Sequence, residues 1–117
     1  MPAFASKTDD AIAAFTGGAD VTEGGIDLTA PEIAENGNTV PVAVSAPGAV
    51  SIMLLATGNP TPSVATFNFG PLAGARRGST RIRLSKTQDV VAIAKMEDGT
   101  FYRAGATVKV TIGGCGG

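Results

Sequence analysis

Chemistry in this chain concentrates on one residue, Cys115. It is the only cysteine among 117 residues and stands in Gly113-Gly114-Cys115-Gly116-Gly117. A thiol acts as a nucleophile through its thiolate, and an unperturbed cysteine, with a pKa of about 8.5, is only a few per cent ionised at neutral pH. No Lys or Arg neighbours Cys115 in sequence, and a carboxylate at Gly117 would raise its pKa. The thiol therefore needs partner proteins to activate it, or reacts by oxidation. Free cysteine normally packs in the interior, whereas paired glycines offer no side chain to hold it and allow almost any backbone conformation. Five such residues can extend roughly 16 Å past Ile112. The composition predicts a reactive group on a pliant tether, thin enough to enter the narrow channel of another protein.

Little else in the chain can do covalent chemistry. There is no histidine, which removes Ser-His-Asp and Cys-His catalysis and nearly every common zinc site. A single cysteine rules out an internal disulfide, a CxxC redox pair and a cysteine metal cage, although an odd cysteine can pair with a second copy in a disulfide-linked dimer. The expectation is no metal, no cofactor and no catalytic residue of its own. Nine Lys and Arg against ten Asp and Glu give a net charge of −1, so no global field favours nucleic acid or an anionic membrane. No run approaches the roughly 20 apolar residues of a membrane span. Met1 to Lys7 lacks the basic and apolar regions of an export signal, so the chain is read as cytoplasmic or as stripped of its leader.

The elements that must position Cys115 are mostly strands. Ser6-x-x-Asp9 resembles a capping box, and Asp9 and Asp10 suit the first turn of a helix. Ala11 to Phe15 follow and Gly17-Gly18 can end it, so a helix is predicted over about 6–16. It is too short to stand alone and must dock. Short strands then follow at roughly 8–12-residue spacing. Ile26 and Leu28 alternate, as do Val40, Val42 and Val44, with Pro41 arguing for an edge or a bulge. Strands are predicted over 50–56, 64–69, 80–85, 90–96 and 101–103. The last, 107–112, sets Val108, Val110 and Ile112 on one face. Glu97-Asp98-Gly99-Thr100 reads as a hairpin turn and 70–79 as the longest loop. Without crossover helices the pattern predicts an antiparallel β-sandwich over residues 1–112, with 113–117 as an arm. The unbroken apolar run 50–56 must be buried on both faces or covered by a partner.

Arg76, Arg77, Arg81 and Arg83 cluster within eight residues. They read first as a solvated strand face and loop, and second as a docking patch for acidic partners or a field favouring anions.

The tail Val108-x-Val110-Thr111-Ile112-Gly113-Gly114-Cys115-Gly116-Gly117 resembles the carboxy-terminal swinging arm of the SoxY family, the sulfur carriers of the bacterial Sox thiosulfate-oxidising system. The segments around Ala92 to Met96 and Gly99 to Tyr102 are similar to the later strands of that family. The resemblance implies an immunoglobulin-like sandwich, a heterodimer with the small all-β subunit SoxZ, and a periplasmic location reached through a cleaved signal. It implies Cys115 as the covalent attachment point for sulfur, with Gly113, Gly114, Gly116 and Gly117 as the arm. A c-type cytochrome complex would couple thiosulfate to the thiol, a hydrolase would release sulfate, and a sulfur dehydrogenase would oxidise the remaining sulfane sulfur. Two other readings stand beside it. A ubiquitin-like carrier would hold sulfur as a thiocarboxylate on Gly117 after Gly116, and needs a central helix between strand pairs. A plain immunoglobulin-like interaction domain would carry the tail as an incidental extension.

Overall fold

A computed structural model describes residues 3–70 and 76–112. One helix, α1 (Ala3–Thr16), precedes nine strands: β1 (Val21–Glu23), β2 (Asp27–Thr29), β3 (Ile33–Ala34), β4 (Val40–Ser45), β5 (Ala49–Ala56), β6 (Ser63–Asn68), β7 (Arg77–Ile82), β8 (Gln88–Met96) and β9 (Phe101–Val110). The large sheet runs β1-β9-β8-β5-β6, with β3 also on β9, and the small sheet runs β2-β4-β7. The two face each other as the sandwich that the strand spacing predicted.

Strand alternation explains the apolar run at 50–56. Ile52, Leu54 and Ala56 of β5 and Val90, Ala92 and Ala94 of β8 point into the space between the sheets, where they meet Val40, Val42 and Val44 of β4. Met53, Leu55, Val91 and Ile93 point the other way and pack under Ala11, Ile12 and Phe15 of α1. Phe15 also meets Phe101 edge-on, with ring centroids 6.0 Å apart. Thus β5 and β8 are buried on both faces within the chain itself, and each fully buried Leu or Ile contributes about 1.5–3 kcal/mol. Helix α1 is a roof for the large sheet, which stabilises a segment too short to persist alone.

Several boundaries differ from the sequence reading. The helix starts at Ala3, because Ala3 and Ala5 are strong helix formers and extend it backwards. Ser6 and Asp9 therefore lie inside the helix and form no capping box at its start. Gly17 ends it as expected, with φ 66° and its N–H donating to Ala13 O at 2.8 Å. Strand β7 covers 77–82 and not 80–85, since Asn59 takes over the backbone beyond: its Nδ2 donates to Arg83 O and its Oδ1 accepts from Ser85 N. The segments 101–103 and 107–112 fuse into one strand through Ala104-Gly105-Ala106, paired with β8 from Phe101 to Val108, while Ile112 falls beyond its end. Pro41 sits in the middle strand of the small sheet, yet β2 pairs only with residues 43–45. The flank of β4 at Pro41 is a local edge, where a missing N–H costs no ladder bond.

Two pairings were not foreseen. Both β1 and β3 lie parallel to β9, with Val21 opposite Phe101 and Ile33 opposite Lys109. Together they cover the flank of β9 that β8 leaves open, one at each end of the strand, and so protect an edge that could otherwise recruit another chain.

Candidate functional site

Cys115 and Gly113, Gly114, Gly116 and Gly117 lie outside the described residues. What can be described is the structure that launches them. Val108 is fully buried and Val110 half-buried in the core between the sheets, so the last turns of β9 are fixed by packing. Beyond that point, hydrogen bonds from distant segments hold the backbone. On one side, Lys109 N donates to Glu32 O at 2.9 Å, Thr111 N to Ala34 O at 3.1 Å, and Gly37 N to Ile112 O at 2.7 Å. The Thr111 hydroxyl adds a bond to Glu35 O at 3.0 Å. On the other side, Val110 N donates to Thr87 Oγ1 at 2.8 Å. Every residue from 109 to 112 is thus tied down. The tether begins from a rigid root.

A buried polar cluster supports this end of the sandwich. Asn59 has no exposed surface, and its side chain makes a short bond to Arg83 O at 2.7 Å while accepting from Ser85 N at 3.0 Å and from Gln88 Nε2 at 2.8 Å. Gln88 Oε1 accepts from Gly58 N at 2.8 Å, and its Nε2 also donates to Lys86 O. A buried amide with all its groups satisfied rigidifies its surroundings, whereas an unsatisfied one would cost about 1–3 kcal/mol. The cluster locks loop 57–62 to loop 83–87. Leu84 N then donates to Gly37 O at 2.8 Å, linking both loops to the segment that holds Ile112.

Thr87, Glu35 and Gln88 were not singled out from sequence, and Gly37 carries only the local turn signal Asn36-Gly37-Asn38. Gly58-Asn59-Pro60-Thr61-Pro62 is a turn signal that ends the apolar run 50–56, and no local pattern marks Asn59 as a side chain whose partners lie more than twenty residues away. Ile112 stays exposed at 67%, as does Ile33 at 58%, so the root carries apolar side chains into solvent. Among the described residues, no three His, Cys, Asp or Glu come close enough to hold a metal ion, and no helix is long and apolar enough to cross a membrane.

The arginine cluster divides. Arg76 turns inward: its side chain is 10% exposed, bonds Ala49 O at 2.8 Å and pairs with Glu97 at 3.2 Å. It anchors the opposite end of the sandwich. Arg77, Arg81 and Arg83 are exposed, and the Arg81 guanidinium donates to the Thr39 hydroxyl at 3.3 Å. One carboxyl with a shifted pKa is also remote from the root. Asp98, in the β8–β9 turn, is held below the usual carboxylate range chiefly by the Thr100 hydroxyl and then by the Thr100 N–H.

Two facing sheets of short strands and a helical roof define an immunoglobulin-like sandwich whose terminal strand leads toward the glycine-bounded thiol of the sequence. The family model for the sulfur oxidation protein SoxY matches residues 12–115, a span that takes in Cys115. The solved structure of the sulfur carrier protein SoxY from Chlorobium limicola f. thiosulfatophilum is 44% identical, superposes with a TM-score of 0.80, and the match covers 92% of this chain and 99% of that one. The chain belongs to the SoxY family. Superoxide reductase (neelaredoxin) from Ignicoccus hospitalis is 19% identical over 74% of this chain and 80% of its own, with a TM-score of 0.65. The fibronectin(III)-like modules of CbhA from Clostridium thermocellum are 13% identical over 73% and 93%, at 0.51. These last two share the fold alone. No curated protein sequence matches the chain.

Proposed function

We propose that this protein is a covalent sulfur carrier that loads thiosulfate-derived sulfur on Cys115 and presents it to separate enzymes. The observation that supports this most is the family match running through Cys115, joined to a sequence in which no other residue offers comparable nucleophilic chemistry. Loading is an oxidation. The thiol and thiosulfate join as Cys115–S–S–SO3⁻, releasing one proton and two electrons, and the electrons pass to a cytochrome partner. Water then attacks the terminal sulfone with the help of a hydrolase, which leaves a persulfide on Cys115 and releases sulfate. A sulfur dehydrogenase oxidises what remains. The carrier supplies position: a root pinned from residue 109 to 112 and, past it, the glycine-bounded thiol. The working unit is a heterodimer with a small all-β SoxZ-like subunit in the periplasm, and oxidation in vitro would also give a disulfide-linked dimer. A thiocarboxylate carrier of the ubiquitin type loses its support, since among the described residues the only helix is α1, ahead of all the strands. Incubation with thiosulfate and the cytochrome partner, followed by intact-mass measurement, tests the proposal: a reductant-sensitive thiosulfate adduct is expected on the native chain and none on Cys115→Ser. An adduct that survives in the Ser variant would sink it.

A further inference from the structure

Gly37 is the junction of the root. Its N–H donates to Ile112 O at 2.7 Å and its C=O accepts from Leu84 N at 2.8 Å, so one residue joins the end of β9 to the loop that follows β7. Gly37 is buried, while Asn36 before it is exposed. The Asn36 side chain folds back on the same turn, where its Oδ1 accepts from Asn38 N at 3.0 Å.

An Asn-Gly pair carries a reaction of its own. When the glycine N–H loses its proton to hydroxide, the nitrogen can attack the asparagine side-chain carbonyl. The new C–N bond closes a five-membered imide as the old one breaks, and ammonia leaves. Water then opens the imide at either carbonyl. One product is aspartate; the other is isoaspartate, in which the main chain runs through the former side chain. Water and hydroxide are the only co-reactants, and nothing is oxidised or reduced. Glycine favours the ring because it has no side chain to crowd it and few backbone restrictions. The other asparagines are less suited: Asn59 precedes Pro60, which has no N–H to lose, while Asn38 and Asn68 precede Thr39 and Phe69. At Gly37 the N–H that must be lost is buried and bonded to Ile112 O, so the reaction waits for the root to open.

We propose that Asn36 is a deamidation site gated by the root of the tether. The closed root suppresses the reaction, and an opening commits it. Isoaspartate at position 36 then keeps the root from closing, because the extra backbone methylene shifts Gly37 away from a position that meets both Ile112 O and Leu84 N. The site acts apart from thiol chemistry, so the full chain carrying Cys115→Ser is the material to test. Peptide mapping by mass spectrometry, after incubation at mildly alkaline pH with and without urea, reads the loss of ammonia at each asparagine. Asn36 should convert at least tenfold more slowly in the folded chain than in urea, because the rate follows the open fraction. In urea it should also outpace Asn38, Asn59 and Asn68. Thr111→Val removes the hydroxyl bonds to Glu35 O at 3.0 Å and Ala34 O at 3.5 Å, and should speed conversion in the folded chain roughly fivefold. Thr111→Ser keeps a hydroxyl there and should stay near the native rate. Equal rates with and without urea, or no response to Thr111→Val, would overturn the gating. In the folded chain isolated with isoaspartate at position 36, amide exchange at Thr111 should quicken; unchanged exchange there would overturn the claim that the modification holds the root open.

Discussion

The two ends of β9 are built by opposite means. At its start, the turn from β8 closes mostly on itself: Met96 N donates to Thr100 O at 2.8 Å, Gly99 N to Met96 O at 3.0 Å, and the Asp98 carboxylate accepts from both Thr100 N and its hydroxyl, with Glu97 N donating to Gly48 O and Arg76 pairing with Glu97 from outside the turn. At its end, nothing local holds the strand. The Thr111 hydroxyl reaches a carbonyl 76 residues away in sequence, and Val110 N reaches a side chain 23 residues away. The hairpin turn can close on bonds among its own residues, whereas the root exists only when three loops and β3 have already assembled. The end that carries the proposed cargo is therefore the one that depends on the whole fold.

The sharpest way to break that contrast is Asn59→Ala. It leaves the Arg83 carbonyl and Ser85 N–H without their Asn59 partner and removes one of the two acceptors of Gln88 Nε2, so urea unfolding should show a loss of about 3 kcal/mol. A loss below about 1 kcal/mol would mean that the polar cluster is not what supports the root. The hairpin end should yield less. Gly99 has φ 86°, a left-handed conformation that costs a residue with a Cβ about 1–2 kcal/mol, so Gly99→Ala should lower stability by about that much and leave thiol loading at Cys115 unchanged. Thr87→Val removes the acceptor of Val110 N–H and the hydroxyl's long bond to Val110 O at 3.5 Å, together about 1 kcal/mol. Amide exchange at Val110 should then speed roughly fivefold, with the amides in the middle of β9 unaffected; uniform acceleration along the strand would erase the distinction between the ends.

The smallest effect belongs to Asp98. Its folded-state pKa is depressed by bonds to Thr100, so whatever it contributes is present above the ordinary carboxylate pKa and fades as pH falls through the depressed value. An NMR titration should find the Asp98 midpoint below that of an ordinary Asp, and Thr100→Val should move it upward. The group is fully exposed, so global stability should hardly follow.

Legibility in the sequence divides along the same line. The hairpin at Glu97–Thr100 was readable because its signal, an Asp-Gly turn between apolar runs, is local. Burial of 50–56 on both faces was readable as a requirement, but whether a partner or the chain itself meets it depends on where α1 docks, which no periodicity states. The outward phase of Arg81 was likewise plain from alternation with Ile82, whereas the inward turn of Arg76 to Ala49 and Glu97 was not. Asn59 and Thr87 were invisible as structural residues, since a side chain that bonds remote backbone leaves no spacing pattern. Cys115 stands out as the candidate attachment point for the opposite reason: its glycine neighbours offer no side chains to pack a thiol.

The central claim is that Cys115 carries the sulfur. Intact-protein mass spectrometry of chain purified natively from a sulfur-oxidising host, before and after a thiol reductant and beside Cys115→Ser, addresses it most directly. Reductant-sensitive masses matching added sulfur or thiosulfate, absent from the Ser variant, are the expected result. A bare, unmodified mass, or adducts that persist in the Ser variant, would contradict it.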